Sequence, residues 1–284
     1  MIVSGKPIAQ KILSEIQKEI TEKKLHPHLS IILASNNDAS RMYIKHKTII
    51  GDEIGVKVST FEFEESVPAQ CIETIIALNK DILVNGIIVQ LPLYPGWISD
   101  DYVTAVSPEK DVDGFLPGSP FIPATAEGTW EMLQEFARIE GFESAESFLK
   151  DKTIVVLGKG KTAGKPVRDL LEKKGFPSQL IDSKTDTPDR IIKTGDIVIS
   201  ATGKKHIINE TNIKSGAYVI GIGVGREKID GKTKTYGDVD EKSIEQIAKL
   251  ICPTVGGIGP LTIACLLRNV YTAAQKTTAL EIHS

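Results

Sequence analysis

Residues 153–166 read TIVVLGKGKTAGKP, and this stretch decides the fold. Ile154–Leu157 form a continuous apolar run of strand character that ends at a glycine. Gly158, Gly160 and Gly164 then give the spacing G-x-G-x-x-x-G, one residue longer than the common dinucleotide-binding fingerprint. Val167–Lys174 follows with helical spacing. A strand, a Gly-rich turn and a helix in that order let backbone approach a pyrophosphate and set it at the helix N-terminus. The same order also describes a plain strand-to-helix turn of an α/β lobe, so the loop by itself leaves both readings open. The spacing is not that of a P-loop.

Outward from this loop the pattern repeats. Downstream, strands are expected at Gln179–Asp182, Asp196–Ala201, Ala217–Val224 and Leu250–Cys252. Asp230-Gly231 and Tyr236-Gly237 read as turns of a hairpin, and a last helix is expected over about Pro260–Lys276. Upstream, Ile8, Ile12, Leu13, Ile16 and Ile20 put a helix over about Lys6–Lys23. Strands at His28–Ala34, Val56–Phe63 and Asn85–Leu91 alternate with helical stretches at Asn36–Gly55 and Cys71–Asn79, and a further helix covers Thr129–Phe136. Alternating strands and helices mean βαβ units and mostly parallel sheets. The layout predicts two α/β lobes, of which the second, about residues 120–257, is a dinucleotide-binding lobe. The final helix is expected to return to the first lobe.

Composition narrows the function classes. With 41% hydrophobic and 25% charged residues the 284-residue chain is ordinary globular protein, not a disordered tail. A net charge of −3 argues against broad nucleic-acid binding, which needs a basic face. The apolar runs fall far short of the ~20 residues that span a bilayer, and the N-terminus lacks the pattern of a signal peptide. Cys71, Cys252 and Cys265 are odd in number and never at C-x-x-C spacing, which supports neither a disulfide framework nor a zinc site and points to the reducing cytoplasm. Cys252 reads as a buried structural thiol, since nothing supplies a base for it. No zinc or flavin signature appears in the sequence.

The loop carries conflicting signals about its nucleotide. Lys159, Lys161 and Lys165 crowd it and suit a 2′-phosphate, which favours NADP. Asp182 ends the second strand of the lobe, where a carboxylate commonly binds a ribose 2′-hydroxyl and repels a 2′-phosphate, which favours NAD.

Four further segments are informative: Tyr43-Ile44-Lys45-His46-Lys47, Val89-Gln90-Leu91-Pro92-Leu93, Pro108–Phe115 (PEKDVDGF) and Gly256–Thr262 (GGIGPLT). Together with residues 158–166, and in this order and spacing, they resemble the bifunctional methylenetetrahydrofolate dehydrogenase / methenyltetrahydrofolate cyclohydrolase family nearly end to end. The resemblance implies two α/β domains flanking a cleft: an N-terminal catalytic, folate-binding domain (1–119, completed by a C-terminal helix, 258–284) and a C-terminal Rossmann-type NADP-binding domain (120–257). It implies a cytoplasmic homodimer that oxidises 5,10-methylenetetrahydrofolate with NADP to the methenyl form and hydrolyses that to 10-formyltetrahydrofolate. Some positions depart from the family. Its usual Gly-Arg-Ser in the cofactor loop is Gly158-Lys159-Gly160, its Pro-Cys-Thr-Pro is Pro123-Ala124-Thr125-Ala126, and its Pro-Val-Pro-Gly-Gly is Pro253-Thr254-Val255-Gly256-Gly257. These departures bear on the choice between NADP and NAD more than on the chemistry.

The resemblance also assigns residues. Lys47 is the catalytic lysine, Gln90 orients it and Asp113 binds the pterin. Tyr43, Gly257, Pro260 and Thr262 contact the substrate, with Thr262 beginning the last helix. Gly158, Lys159, Gly160, Ser183, Thr202 and Val224 contact the cofactor. Residue chemistry is consistent with these roles. Tyr43 and Lys47 are one helical turn apart and share a face. A buried lysine has a lowered pKa and can move protons near neutrality. The Gln90 amide can accept from a lysine ammonium or donate to a neutral amine. One carboxylate can accept two N–H bonds side by side, as the amino-pyrimidinone edge of a pterin offers. Asp111 is the nearby competitor and reads equally as a loop-turn residue. His46 points about 100° away from Lys47 on a helix and is not assigned. Two alternatives stand beside the leading reading: a dehydrogenase without cyclohydrolase activity, on a folate or methanopterin carrier, and a non-catalytic dinucleotide-binding regulatory module. The module has no need of the Lys47, Gln90 and Asp113 set.

Overall fold

The computed structural model describes residues 1–229 and 232–282. In chain order the first half contains α1 (Lys6–Lys23), β1 (His28–Leu33), α2 (Asp38–Ile54), β2 (Lys57–Glu62), α3 (Pro68–Lys80), β3 (Gly86–Val89) and α4 (Ser99–Thr104). The second half contains α5 (Ala124–Ile139), α6 (Ala145–Leu149), β4 (Ile154–Leu157), α7 (Gly164–Lys173), β5 (Ser178–Ile181), α8 (Pro188–Ile192), β6 (Ile197–Ser200) and β7 (Tyr218–Gly221). It closes with β8 (Val224–Ile229), β9 (Lys232–Gly237), α9 (Glu241–Ile244), β10 (Leu250–Cys252) and α10 (Ile258–Ile282). The chain divides into two compact units. One holds Lys11–Ala124 and the chain from Ile263 onward; the other holds Met1–Gln10 and Thr125–Thr262.

The first unit is built on a three-stranded parallel sheet in the order β2-β1-β3. Its central strand β1 is buried from Leu29 to Leu33, as is all of β3, and both are apolar apart from Ser30, as strands covered on both faces tend to be. Ile32, Ile75, Leu78, Ile87, Val89 and Tyr102 form one core cluster between this sheet and α3 and α4. Each such apolar side chain contributes roughly 1.5–3 kcal/mol on burial. Helix α2 starts where the Asn37 side chain accepts from the N–H groups of Ala39 (2.8 Å) and Ser40 (3.2 Å), and it stops at Gly55, whose φ of 84° an L side chain resists.

The second unit is built on a five-stranded parallel sheet in the order β10-β7-β6-β4-β5. Val155, Leu157, Val198, Val219 and Ile251 form its core with Ile192, Ile208 and Ile244. Strand order reverses beside β4, since β5 lies on one side of it and β6 on the other. The β10 edge is not bare: Val3 N–H donates to the Ile251 carbonyl (2.8 Å) and Ile251 N–H to the Met1 carbonyl (2.9 Å). This pairing explains why the first ten residues belong to this unit and protects a sheet edge from other chains.

Several local expectations need correction. The strand expected over Ala217–Val224 ends at Gly221, and Val224 instead opens the β8–β9 hairpin. Tyr236-Gly237 is not a turn but the end of β9, with Gly237 opposite Val224. Asp230-Gly231 lies outside the described residues. Helix α7 begins at Gly164 rather than Val167, and α10 begins at Ile258 rather than Pro260. Proline is tolerated there because N–H groups of the first turn have no intrahelical partner anyway. Among the described residues no helix is long and apolar enough to cross a membrane.

Candidate active site

In the first unit, three segments far apart in sequence meet at the C-terminal end of the parallel sheet. Helix α2 carries Tyr43 and Lys47 one turn apart, and Lys47 is 5% exposed. Its Nζ lies 5.0 Å from the centre of the Tyr43 ring, within cation–π range. The same Nζ donates to Oε1 of Gln90 at 3.0 Å. Gln90 follows β3 directly: its N–H donates to the Ile32 carbonyl, and its Nε2 donates to the Leu91 carbonyl at 3.0 Å. The amide is therefore fixed with its oxygen toward the lysine, which selects the accepting role for Gln90.

Asp113 completes the group. Burial pushes its carboxyl up to about 6, with Asp111 adding to the rise and Lys47 opposing it. Burial in turn pushes the Lys47 ammonium down, and the Asp113 charge pulls it back up. Each group sets the other's charge state, so the two titrate as a pair. A cation shielded from water, one carboxylate beside it and a fixed amide acceptor make a site that can hold or move a proton near neutral pH.

The rest of the Asp113 loop is scaffolding. Asp111 is buried, and its Oδ2 accepts from the N–H of Leu116 at 2.7 Å, so its carboxylate pins the turn that follows. Lys110 Nζ donates to the carbonyls of Leu78 (2.8 Å) and Asp81 (2.6 Å), closing the C-terminus of α3. Asn269 on α10 clamps the loop from behind, its Nδ2 donating to the Val112 (2.9 Å) and Ile122 (3.0 Å) carbonyls. Sequence reasoning missed Asn269, because nothing around it in the chain distinguishes it from a surface polar residue of a helix. His46 is exposed on α2, consistent with its being left unassigned.

The second unit presents a different set at the C-terminal ends of its strands. Gly158 follows β4 with φ 95°, and a Cβ there would come 2.4 Å from the Ala201 carbonyl oxygen. A Cβ on Gly164 would come 2.0 Å from the Gly158 carbonyl oxygen. These two glycines let the loop fold onto itself between β4 and β6, at the point where the strand order reverses. Gly160 has open space around it. No side chain caps the start of α7. A tight glycine turn and an uncapped helix start at a topological switch point fit a dinucleotide pyrophosphate.

The remaining expected contacts are placed as follows. Ser183 is exposed in the turn after β5. Thr202 follows β6, and its N–H donates to Oδ2 of Asp238 at 2.7 Å. Val224 is 50% exposed at the start of β8. Asp238, fully buried, also accepts from the Ser200 hydroxyl at 2.7 Å, so it fastens the turn that carries Thr202. This residue was also missed, since it follows the Tyr236-Gly237 pair read as a turn and falls in no expected element. Lys159 Nζ donates to Asp182 Oδ2 at 2.6 Å, and Lys165 pairs with Asp169. Lys159 and Lys165 are thus each engaged by a carboxylate.

Gly257 is buried, and a Cβ on it would come 2.1 Å from the Pro253 carbonyl oxygen, while Gly5 packs against its own carbonyl. Turn packing accounts for this glycine. Pro260 sits in the first turn of α10. Thr262 does not begin the helix: it lies one turn in, and its hydroxyl donates to the Ile258 carbonyl at 3.1 Å. Cys252 is buried and its thiol is pushed up by burial, which leaves it inert. Among the described residues no group of three or more His, Cys, Asp or Glu could hold a metal ion.

The chain was compared with known proteins. Residues 3–113 match the family described as tetrahydrofolate dehydrogenase/cyclohydrolase, catalytic domain, and residues 123–278 match its NAD(P)-binding domain. The bifunctional protein FolD of Acetivibrio thermocellus is 35% identical, covering 96% of each chain. That of Methanosphaerula palustris is 35% identical over the whole of both chains. Among solved structures, the Trypanosoma brucei methylenetetrahydrofolate dehydrogenase-cyclohydrolase, complexed with NADP and an inhibitor, superposes with a TM-score of 0.89 at 28% identity, covering 98% of each chain. The bifunctional enzyme from Campylobacter jejuni gives 0.87 at 29% identity, covering 97% of this chain and 99% of its own. The chain belongs to the tetrahydrofolate dehydrogenase/cyclohydrolase family, with the catalytic and the NAD(P)-binding domain of that family in one polypeptide.

Proposed function

We propose that this enzyme oxidises 5,10-methylenetetrahydrofolate to 5,10-methenyltetrahydrofolate with NADP and hydrolyses the product to 10-formyltetrahydrofolate. The observation that carries the reading is the buried Lys47 ammonium, hydrogen-bonded to Gln90 at 3.0 Å and electrostatically coupled to Asp113. The family relationship supports both activities, and the NADP complex of the T. brucei relative supports the nucleotide. The folate-binding role falls to the unit with the three-stranded sheet and the nucleotide-binding role to the unit with the five-stranded sheet.

Each side chain has a task in this reading. Asp113, when ionised, accepts two N–H bonds from the pterin edge. Tyr43 offers an aromatic face to the flat ring. Lys47 positions the one-carbon bridge and tunes its charge during oxidation. The nicotinamide, when bound, accepts the hydride. In hydrolysis, water adds to the methenyl carbon and Lys47, in the neutral form that its lowered pKa permits, takes up the water's proton; it returns that proton to the ring nitrogen, whose bond to the carbon breaks as the formyl C=O forms and the hydroxyl proton passes to solvent. Gln90 holds the Lys47 amine in line throughout. The residues around Gly158, Gly164, Thr202 and Ser183 bind the nucleotide through backbone and hydroxyl groups.

A cytoplasmic homodimer is part of the same proposal. What supports it is the family resemblance, with three buried free cysteines suiting a reducing compartment. A spectrophotometric assay with methylenetetrahydrofolate and each nucleotide in turn tests the reading, followed by hydrolysis of supplied methenyltetrahydrofolate. Oxidation without hydrolysis would reduce the enzyme to a dehydrogenase; neither activity would overturn the reading.

A further inference from the structure

Asp182 stands immediately after β5, the place where a sheet of this kind meets the adenosine ribose. Every contact it makes stabilises its charge. Oδ2 accepts from Lys159 Nζ at 2.6 Å. Oδ1 accepts from the N–H of Lys184 at 2.9 Å and from the Thr185 hydroxyl at 3.2 Å. The bond from Lys159 is the largest cause, and together these hold the carboxyl down to about 2, so it is an anion at any working pH. A ligand with a free ribose 2′-hydroxyl can donate to such a carboxylate. A 2′-phosphate meets a like charge, unless that charge is already balanced.

Lys159 supplies the balance. It comes from the glycine turn on the neighbouring strand β4 and reaches across to Asp182, with its side chain 55% exposed. An ammonium has three donors on a flexible stem, so it can serve a carboxylate and a phosphate together. Lys165 is held by Asp169 on its own helix.

We infer that the Lys159–Asp182 pair sets the nucleotide preference of this enzyme: Asp182 disfavours a 2′-phosphate, and Lys159, by neutralising it, admits one. The inference rests on the proposed role of this unit in binding NADP and assigns its specificity to two residues. It makes discrimination small, because one cation divides between two anions. The two substitutions then act in opposite directions. Asp182→Asn frees Lys159 for the phosphate, and Lys159→Met leaves a bare carboxylate facing it.

Calorimetric titration of the folded enzyme with 2′,5′-ADP and with 5′-ADP, at one fixed salt concentration, tests this without turnover. The wild type should bind the two nucleotides within about tenfold of each other. Asp182→Asn should tighten 2′,5′-ADP at least tenfold, and Lys159→Met should weaken it at least tenfold. Both should leave 5′-ADP within about fivefold, and Lys159→Arg should restore 2′,5′-ADP binding. The pair lies at the surface, its lysine 55% exposed, and contributes little to folding, so circular dichroism should report native protein for each variant. Unchanged or weaker 2′,5′-ADP binding by Asp182→Asn overturns the inference while leaving the nucleotide site intact. Equal loss of both ligands in Lys159→Met overturns it as well. A folded wild type that binds neither ligand sinks the NADP reading itself, and the inference with it.

Discussion

Lys47 and Gln90 are separated by 43 residues, yet the lysine Nζ lies 3.0 Å from the glutamine Oε1. Helix α2 supplies one and the end of β3 the other. The glutamine cannot rotate freely, because its own Nε2 is spent on the Leu91 carbonyl. The lysine cannot retreat to water, because it is 5% exposed. A buried amine is thus held on one acceptor with an ionisable carboxyl in its field, and the proposed chemistry rests on this arrangement.

Lys47→Met should abolish hydrolysis of methenyltetrahydrofolate while the fold survives. Methionine fills nearly the same length of apolar stem and removes a cation that is costly to bury. The measurement is the hydrolysis rate beside a thermal melt. Near-wild-type hydrolysis by a folded variant would remove Lys47 from the mechanism.

Asp113 makes folate binding depend on pH in a predictable direction. Its folded-state carboxyl titrates near 6, above the ordinary 3.8, so it is protonated and a poorer acceptor below pH 6. KM for the folate should therefore rise as pH falls through about 6, with KM for the nucleotide unaffected. The sign for stability is opposite: its contribution is full below pH 3.8 and is lost as pH rises through about 6. Asp113→Ala should weaken folate binding by about 1.5–3 kcal/mol, roughly 10- to 150-fold, and flatten the KM profile. Equal weakening of the nucleotide would mean that Asp113 supports the structure at large.

Two glycines of the same loop should behave oppositely. Gly164→Ala places a methyl 2.0 Å from the Gly158 carbonyl oxygen, and backbone must move. It should cost about 1–3 kcal/mol or more in stability and weaken nucleotide binding. Gly160→Ala meets nothing within 4 Å and should stay within about 0.5 kcal/mol of the wild type. Denaturant unfolding of both variants checks the contrast, and similar losses at the two positions would refute it.

Asp238→Ala should be among the more damaging substitutions of the second unit. It strips the acceptor from the Ser200 hydroxyl and the Thr202 N–H, both bonded to Oδ2 at 2.7 Å. Leaving buried donors unpaired costs about 1–3 kcal/mol each. A lowered Tm together with weakened nucleotide binding is expected. Weakened binding at an unchanged Tm would mean that Asp238 contacts the nucleotide rather than fastening the turn.

Much of this was legible in the chain before any coordinates. The run Ile154–Leu157 and the glycines after it announce a strand, a turn and a helix, because burial on both faces requires unbroken apolar residues and tight turns require glycine. The one-turn spacing of Tyr43 and Lys47 places them on one face of a helix wherever that helix lies. Only the tertiary structure decided which groups meet. Gln90 reaches Lys47, and Asn269 reaches the Val112 and Ile122 carbonyls, across intervals that no local pattern records. The lysines of the glycine-rich loop show the same limit: their number is plain in the sequence, but their partners are not. Lys159 turns to Asp182 because parallel strands β4 and β5 lie side by side, and charge strength falls with a distance that only the folded sheet defines.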